Sequence, residues 1–434
     1  MKKAAIYTLG CKVNQYETQA IKEKFIDNGY EIVHEDDYAD VYIINTCTVT
    51  NLSDRKSRQY IRRAKRINPD SIVIVTGCYA QMSPDEIEKI EDVNLVVGTN
   101  EKNSILEYVE MAQNNNKLVK VKEYEDIIDY EEMKIQGMGE RTRAYIKIQE
   151  GCNQFCSYCI IPYARGNIRS RAMDDIINEA KTLISNGYKE IVITGINAAL
   201  YGVDNGQGTL LDVIENIDGL EGKFRIRLSS LEPAFFDDKY IDRLMSYKKL
   251  CSHIHLSVQS GSNRILKAMN RKYSAEEFAT IVKVLRKRRQ DMNITTDIIV
   301  GFPGETEKDF DETCHFVTKM NFGKVHVFKY SKRKGTKAAD MTDQVEDAVK
   351  SKRSDILIEI SDKAARSFNE KFINRELEVL FEAKNEKTGY FEGLTDNYIK
   401  VYCKSDLDLC DQFAYVKISG IMDDGLIGIL PIKS

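Results

Sequence analysis

The sequence predicts an α/β chain in three parts: an N-terminal open parallel sheet, a central partial barrel of six β/α units, and a small C-terminal antiparallel β-barrel. Three observations predict it. Short β-branched runs alternate with helical patterns over the first hundred residues. A second alternating series runs from Arg143 to Phe328. From Leu377 onward only short strand-like runs and turns remain. Alternation builds parallel sheets covered by helices, and strands without helices build barrels or sandwiches.

In the first series the expected strands are Ala4–Thr8, Val41–Asn45, Ile72–Thr76 and Leu95–Val97, with helices over 15–28, 54–67 and 83–90. Residues 114–139 carry Asn-Asn-Asn, mixed charge and two late glycines, and read as a linker with some irregular or strand structure. The second series places strands at Ala144–Gln149, Glu190–Thr194, Arg225–Ser229, His253–Val258, Thr295–Val300 and Lys324–Phe328. Six units fall short of a closed eightfold barrel. A long helix should follow, with Ile356, Ile360, Ala364, Phe368 and Phe372 at every fourth position. The expected domains are 1–115, a linker at 116–142, 143–370, and 371–434.

Composition narrows the function. The 434 residues carry 63 Lys and Arg against 67 Asp and Glu, a net charge of −4, so a nucleic-acid partner would have to be met by local patches. No run approaches the roughly 18 apolar residues that span a membrane, so no membrane partner is expected. The opening segment resembles a leader faintly, but its apolar part breaks at Lys12, Asn14 and Gln15; it reads as a strand, and the cytoplasm is the expected location. Ten cysteines in so long a chain do not make a disulfide scaffold, and clustered thiols in a reducing compartment suggest metal.

The cluster is Gly151-Cys-Asn-Gln-Phe-Cys-Ser-Tyr-Cys-Ile-Ile-Pro162, directly after the first strand of the second series. Structural zinc sites want four ligands and ferredoxin runs supply four cysteines. Cys152, Cys156 and Cys159 leave one iron of a cubane open to a small chelating molecule; the alternative is a zinc knuckle completed by a distant ligand. The spacing, with Tyr158 before the last cysteine, resembles the radical S-adenosylmethionine (SAM) superfamily. That resemblance implies cofactor contacts from Tyr158, from Ser257 and Gln259 after the fourth strand, and from Asp297 and Gly301 after the fifth. After the second strand the superfamily often has Gly-Gly-Glu; here Thr194-Gly-Ile-Asn197 stands instead, with Thr194 the expected contact.

Cys11, Cys47 and Cys78 each close an expected strand of the first domain. Ligand groups gather beyond the carboxyl ends of such strands, so the three can converge, unless they are merely buried thiols. Thr8-Leu-Gly-Cys-Lys-Val-Asn-Gln-Tyr-Glu-Thr18, Asn45-Thr-Cys-Thr-Val49, Thr76-Gly-Cys-Tyr-Ala80 and Pro162-Tyr-Ala-Arg-Gly-Asn-Ile-Arg-Ser-Arg171 resemble the methylthiotransferase family over nearly the whole chain. The resemblance implies two 4Fe–4S clusters, one on Cys152, Cys156 and Cys159, the other on Cys11, Cys47 and Cys78. It implies SAM as radical source and methyl donor, an electron donor, a sulfur source, and a C-terminal TRAM module that binds RNA. The carbon attacked has no acidic proton, so general-base chemistry cannot serve.

The family modifies adenosines beside the tRNA anticodon or an aspartate of a ribosomal protein. Gly10-Cys-Lys-Val-Asn-Gln resembles the branch acting on C2 of N6-threonylcarbamoyladenosine at tRNA position 37; isopentenyladenosine and the ribosomal aspartate are the alternatives, and a non-catalytic metal-containing RNA-binding protein is a third. The anticodon stem–loop is the implied partner, and Arg55, Arg58, Arg62 and Arg66, one face of the 54–67 helix, form a candidate phosphate rail. The acidic C-terminal module makes a poor general RNA clamp, although Tyr390, Phe391 and Tyr398 offer aromatic faces. Cys251, Cys314, Cys403 and Cys410 read as buried thiols, and His253, His255 and His326 as core or barrel-lining residues.

Overall fold

The computed structural model describes residues 1–48, 51–114, 117–139 and 142–431. Val49 of the second cysteine motif lies outside the described residues, as do 115–116 and 140–141 of the expected linker.

The N-terminal sheet contains β1 (Lys2–Thr8), β2 (Tyr30–Ile32), β3 (Val41–Thr46), β4 (Ile72–Gly77), β5 (Leu95–Val97) and β6 (Leu118–Lys120). Their order is β2-β1-β3-β4-β5-β6 and every pairing is parallel. Helices α1 (Lys12–Asp27), α2 (Asn51–Ile67), α3 (Cys78–Met82), α4 (Pro84–Glu88) and α5 (Ile105–Asn114) cover both faces. Strand alternation decides which helix meets which residue. Ala4, Ile6, Ile43 and Ile74 face α1 and α5. Ala5, Tyr7, Ile44 and Val75 face α2, α3 and α4. The first of these cores continues without a break into the central domain. Two strands lie outside the expected set. β2 has three residues, too short a run to signal. β6 lies inside the stretch expected to be linker and pairs with β5, so the sheet continues past residue 115.

The central domain runs β7 (Arg143–Glu150), α6 (Ile161–Arg165), β8 (Arg169–Ser170), α7 (Met173–Ser185), β9 (Glu190–Gly195), α8 (Leu210–Asp218), β10 (Arg225–Leu228), β11 (Ser230–Leu231), α9 (Asp238–Ser246), β12 (His253–Leu256), α10 (Asn263–Ala268), α11 (Ala275–Arg288), β13 (Asn293–Val300), α12 (Glu307–Met320), β14 (Lys324–Lys329) and α13 (Asp347–Glu370). Two sheets, β10-β9-β7-β8 and β11-β12-β13-β14, meet at a bridge between Ile226 and Leu250. The six longer strands are the expected ones, and the ring stays open between β7 and β14. Capping boxes at Thr209/Asp212, Ser274/Glu277 and Thr306/Asp309 start α8, α11 and α12 by satisfying free helix amides. In α13 the buried stripe is Ser354, Leu357, Ser361, Ala364 and Phe368, while Ile356 is 37% exposed. A strict fourfold repeat drifts around a helix of 3.6 residues per turn, so Ile356 leaves the core.

The C-terminal barrel closes as β15 (Glu376–Lys384), β16 (Phe391–Thr395), β17 (Lys400–Cys403), β19 (Gly425–Ile429) and β18 (Phe413–Met422). Every pairing is antiparallel except β17 with β19, which is parallel. A closed ring with an odd number of strands cannot alternate direction all the way round, so one parallel seam is obligatory. Phe372, at the end of α13, joins Val379, Phe381, Val401 and Leu426 in the barrel core. The barrel docks on the amino ends of the central strands: Asn293 donates to the Asn397 carbonyl at 2.8 Å and Thr142 to Asp411 at 2.6 Å.

Candidate active site

The loop after β7 folds back on itself because Gly151, at φ +72°, lets Asn167 approach where a Cβ would stand 1.7 Å from its carbonyl oxygen. Phe155 also takes a left-handed conformation, at φ +46°. Non-glycine residues there hold strain that tends to mark functional loops. Cys152, Cys156 and Cys159 are half-buried on this loop and line one large cavity of about 1440 Å³. Burial pushes the Cys159 thiol up to about 12, helped by its neighbours Cys156 and Cys152. Burial also raises Cys152, partly opposed by Asn197. The Arg271 guanidinium lies 3.3 Å from Cys156 Sγ and is held by Glu232 at 2.8 Å.

The same cavity is lined by Tyr158, Thr194, Ser257, Gln259 and Asp297. Asp297 accepts from Ser257 at 3.1 Å and pairs with His255 at 3.1 Å. Burial alone would raise Asp297; His255 outweighs it and holds the carboxylate low. Gln259, at φ +73°, bridges Asp297 and Ile299 through its backbone. Gly301 does not reach the cavity. Its amide bonds Glu305 at 2.7 Å in the turn into α12.

Cys11, Cys47 and Cys78 follow β1, β3 and β4, three neighbouring strands. The chain crosses from β2 on one side of β1 to β3 on the other, so this edge is a topological switch point. A Cβ on Gly10 would stand 2.7 Å from Cys47 Cβ; glycine there lets the Cys11 turn lie against Cys47. Cys47 and Cys78 are buried, whereas Cys11 opens into the cavity shared with Cys152, Cys156 and Cys159. Walls of protein still raise the Cys11 thiol by desolvation, against Arg165. Among the described residues no three His, Cys, Asp or Glu side chains close on a single metal ion. The irons of a cubane occupy separate corners, so its thiolates need not crowd together.

A buried ion network joins the two cysteine sets. Arg165 lies just beyond the cysteine loop and donates Nε–H to Cys78 Sγ at 3.3 Å. It also bonds Asn14 at 2.7 Å, Glu17 at 2.5 Å, and Glu150. Lys147 pairs with Glu150 at 3.1 Å and Glu17 at 3.4 Å; Lys102 pairs with Glu17 at 3.1 Å. All five charged groups are 0% exposed. Two carboxylates, Glu17 and Glu150, are shared among three cations, Arg165, Lys102 and Lys147.

The arginine rail is divided. Arg55, Arg62 and Arg66 are exposed, but Arg58 is committed to Glu86 at 3.2 Å and Tyr79 at 2.8 Å. None of the four lines the cavity. Phe391 is buried in the barrel core. Tyr398 instead enters the cavity wall, stacked against Arg227 at 4.2 Å and His253 at 4.7 Å. Sequence reasoning missed Asn197, Glu232 and Arg271, which line the cavity; His253, His255 and His326, read as core or barrel-lining, line it too. The signal was available only as position: each lies on a central strand or in the loop beyond one.

Among the described residues no helix is long and apolar enough to cross a membrane.

A half-open ring of β/α units carrying three thiols on the first loop, above a cavity lined from the strand ends, defines a radical-SAM enzyme. Comparison with known proteins agrees. Residues 146–317 match the model of the Radical SAM superfamily, and 3–98 match the Uncharacterized protein family UPF0004. The chain is 45% identical to "Threonylcarbamoyladenosine tRNA methylthiotransferase MtaB" of Bacillus subtilis (strain 168), over 96% of this chain and 94% of that protein. It is 41% identical to the Aquifex aeolicus (strain VF5) protein of the same name, over 92% and 96%. It is 37% identical to "tRNA-2-methylthio-N(6)-dimethylallyladenosine synthase" of Clostridium novyi (strain NT), over 98% and 96%. The solved radical SAM methyltransferase TsrM from Kitasatospora setae shares the fold, with a TM-score of 0.58 over 78% of this chain and 76% of that one, at 13% identity. The chain belongs to the radical-SAM methylthiotransferase family, in its MtaB-like branch. Membership implies SAM and a 4Fe–4S cluster, and the three thiols on the loop after β7, with Asn197 facing Cys152 and Arg271 facing Cys156, suit that pair.

Proposed function

We propose that this chain methylthiolates C2 of N6-threonylcarbamoyladenosine at position 37 of tRNA, using SAM as radical source and methyl donor. The observation that carries it is the shared cavity: Cys11 of the first domain and Cys152, Cys156 and Cys159 of the second face the same space. The names of the Bacillus subtilis and Aquifex aeolicus relatives support the substrate.

Cys152, Cys156 and Cys159 would hold one 4Fe–4S cluster, and Cys11, Cys47 and Cys78 a second. Bound there, the two clusters and SAM supply the hydrogen-abstracting radical, the sulfur and the methyl group. The chain's own residues do the rest. Arg271 holds Cys156 and Arg165 holds Cys78 in place, and each is itself fixed by buried carboxylates. Asn197, whose Oδ1 has no hydrogen-bond partner in the buried wall, is placed to take a donor from the amino-acid end of SAM, where the superfamily's acidic residue is missing. Asp297, whose carboxylate is held low by His255, and Ser257 would hold the ribose of SAM. Flipping a loop adenosine into the cavity costs little beyond unstacking. A cytoplasmic location, an electron donor and a sulfur source complete the reading.

The test is the nucleoside profile of tRNA from a strain lacking the gene. The 2-methylthio form of N6-threonylcarbamoyladenosine should vanish while its unmethylthiolated parent accumulates. Loss of the isopentenyl derivative instead would move the substrate to the other tRNA branch.

A further inference from the structure

Lys12, the first residue of α1, projects into the cavity beside Cys11. It stands near Arg227, Arg143 and Tyr398, and among the described residues no ion pair or side-chain hydrogen bond holds its ammonium. The other cations of the cavity wall are all matched with an acid. Arg227 pairs with Glu190 at 2.8 Å, Arg271 with Glu232 at 2.8 Å, and Lys324 with Asp362 at 3.2 Å. Lys363 pairs with Glu359 at 2.6 Å, Arg366 with Glu370 at 3.4 Å, and Lys400 with Glu392 at 2.8 Å. Glu190 also stands near Lys12, but it is already bonded to Arg227 and Arg225, so the Lys12 ammonium faces the cavity with no acid of its own.

We infer that Lys12 is a specificity residue that takes the free carboxylate of the threonylcarbamoyl group on the target adenosine. This rests on the substrate reading above. Threonine attached through its amine to a carbamoyl carbon keeps its α-carboxylate, so that substrate brings one negative charge into the cavity. An alkenyl tail brings none and would leave Lys12 unpaired. Cys11 is the neighbouring residue, so the contact also fixes where the base lies against the first-domain thiols. A charge-assisted hydrogen bond from a partly desolvated ammonium discriminates a carboxylate from a neutral group.

The experiment uses the full chain with both clusters reconstituted anaerobically, and anticodon stem–loops bearing either N6-threonylcarbamoyladenosine or its carboxamide. Affinities are read by fluorescence titration, and KM and kcat by product formation. The wild type should prefer the acid by about tenfold or more. Lys12→Met should erase that preference through KM, and Lys12→Arg should keep most of it. If the wild type prefers the acid and Lys12→Met does so equally, the assignment of Lys12 is wrong while the substrate reading stands. If the wild type methylthiolates acid and carboxamide equally well, the carboxylate contact is overturned while the substrate reading stands; if it methylthiolates neither, the substrate reading falls and the inference with it. If Lys12→Met loses affinity for SAM in equilibrium dialysis and keeps the stem–loop preference, Lys12 serves the SAM carboxylate and the inference is overturned.

Discussion

A thiol walled in by protein gives up its proton reluctantly. Cys159 sits near 12 and Cys11 and Cys152 are raised, all chiefly by burial. Metal must therefore displace protons, and assembly should be the step that needs a base. Replacing Cys152 or Cys78 by serine should each lower iron content by about four atoms per chain, measured after anaerobic purification. Iron unchanged by Cys78→Ser would remove the second cluster from the account. At this scale the sequence was most legible where spacing carries chemistry. Cys152, Cys156 and Cys159 are close in the chain, so their convergence can be read directly. Arg271 and Glu232 cannot be read that way, because they join the site from separate loops and only the fold brings them to Cys156. Gly301, by contrast, lies outside the cavity lining, with its amide bonded to Glu305.

Helix α1, strand β7 and helix α6 come from two domains and meet in one buried network. Burial alone would raise Glu17, but Arg165, Lys102 and Lys147 outweigh it and hold the carboxylate at about 2. The unfolded value is about 4.3. The ionised form therefore stabilises the fold above that pH, and the contribution is lost as pH falls toward 2. Glu17→Gln leaves three buried cations short of a partner and should cost about 3–5 kcal/mol in denaturant unfolding at neutral pH. The deficit should shrink below pH 4; a deficit independent of pH would mean that packing, not charge, is lost. The elements themselves were largely legible. β-Branched runs mark strand positions with local chemistry. The short strand β2 was hidden because three residues make no pattern, β6 was expected only as unplaced strand structure within 114–139, and the stripe on α13 slipped because a fourfold repeat does not follow a helix.

The three domains act on one cavity, yet the molecule as a whole is acidic, with a net charge of −4. Attraction for tRNA must then come from patches. Arg55, Arg62 and Arg66 are exposed and, among the described residues, make no ion pair, whereas Arg58 is held by Glu86. Replacing the three by glutamine should reduce the salt dependence of stem–loop binding by about two to three phosphate contacts, each worth a slope of roughly 0.7–0.9. An unchanged slope would place the tRNA elsewhere. Domain order was legible because strand–helix alternation changes character twice along the chain. The docking of the barrel on the amino ends of the central strands was not, since Asn293–Asn397 and Thr142–Asp411 join residues far apart in sequence. The central claim is that two thiol sets serve one base. Its most direct measurement is a single anaerobic reaction of the reconstituted chain with SAM, reductant and a stem–loop carrying N6-threonylcarbamoyladenosine, followed by mass spectrometry of the nucleosides. The 2-methylthio product should appear with the wild type and be absent with Cys78→Ser, while 5′-deoxyadenosine forms with both. Formation of the product by Cys78→Ser, or 5′-deoxyadenosine from the wild type without any methylthio nucleoside, would contradict it.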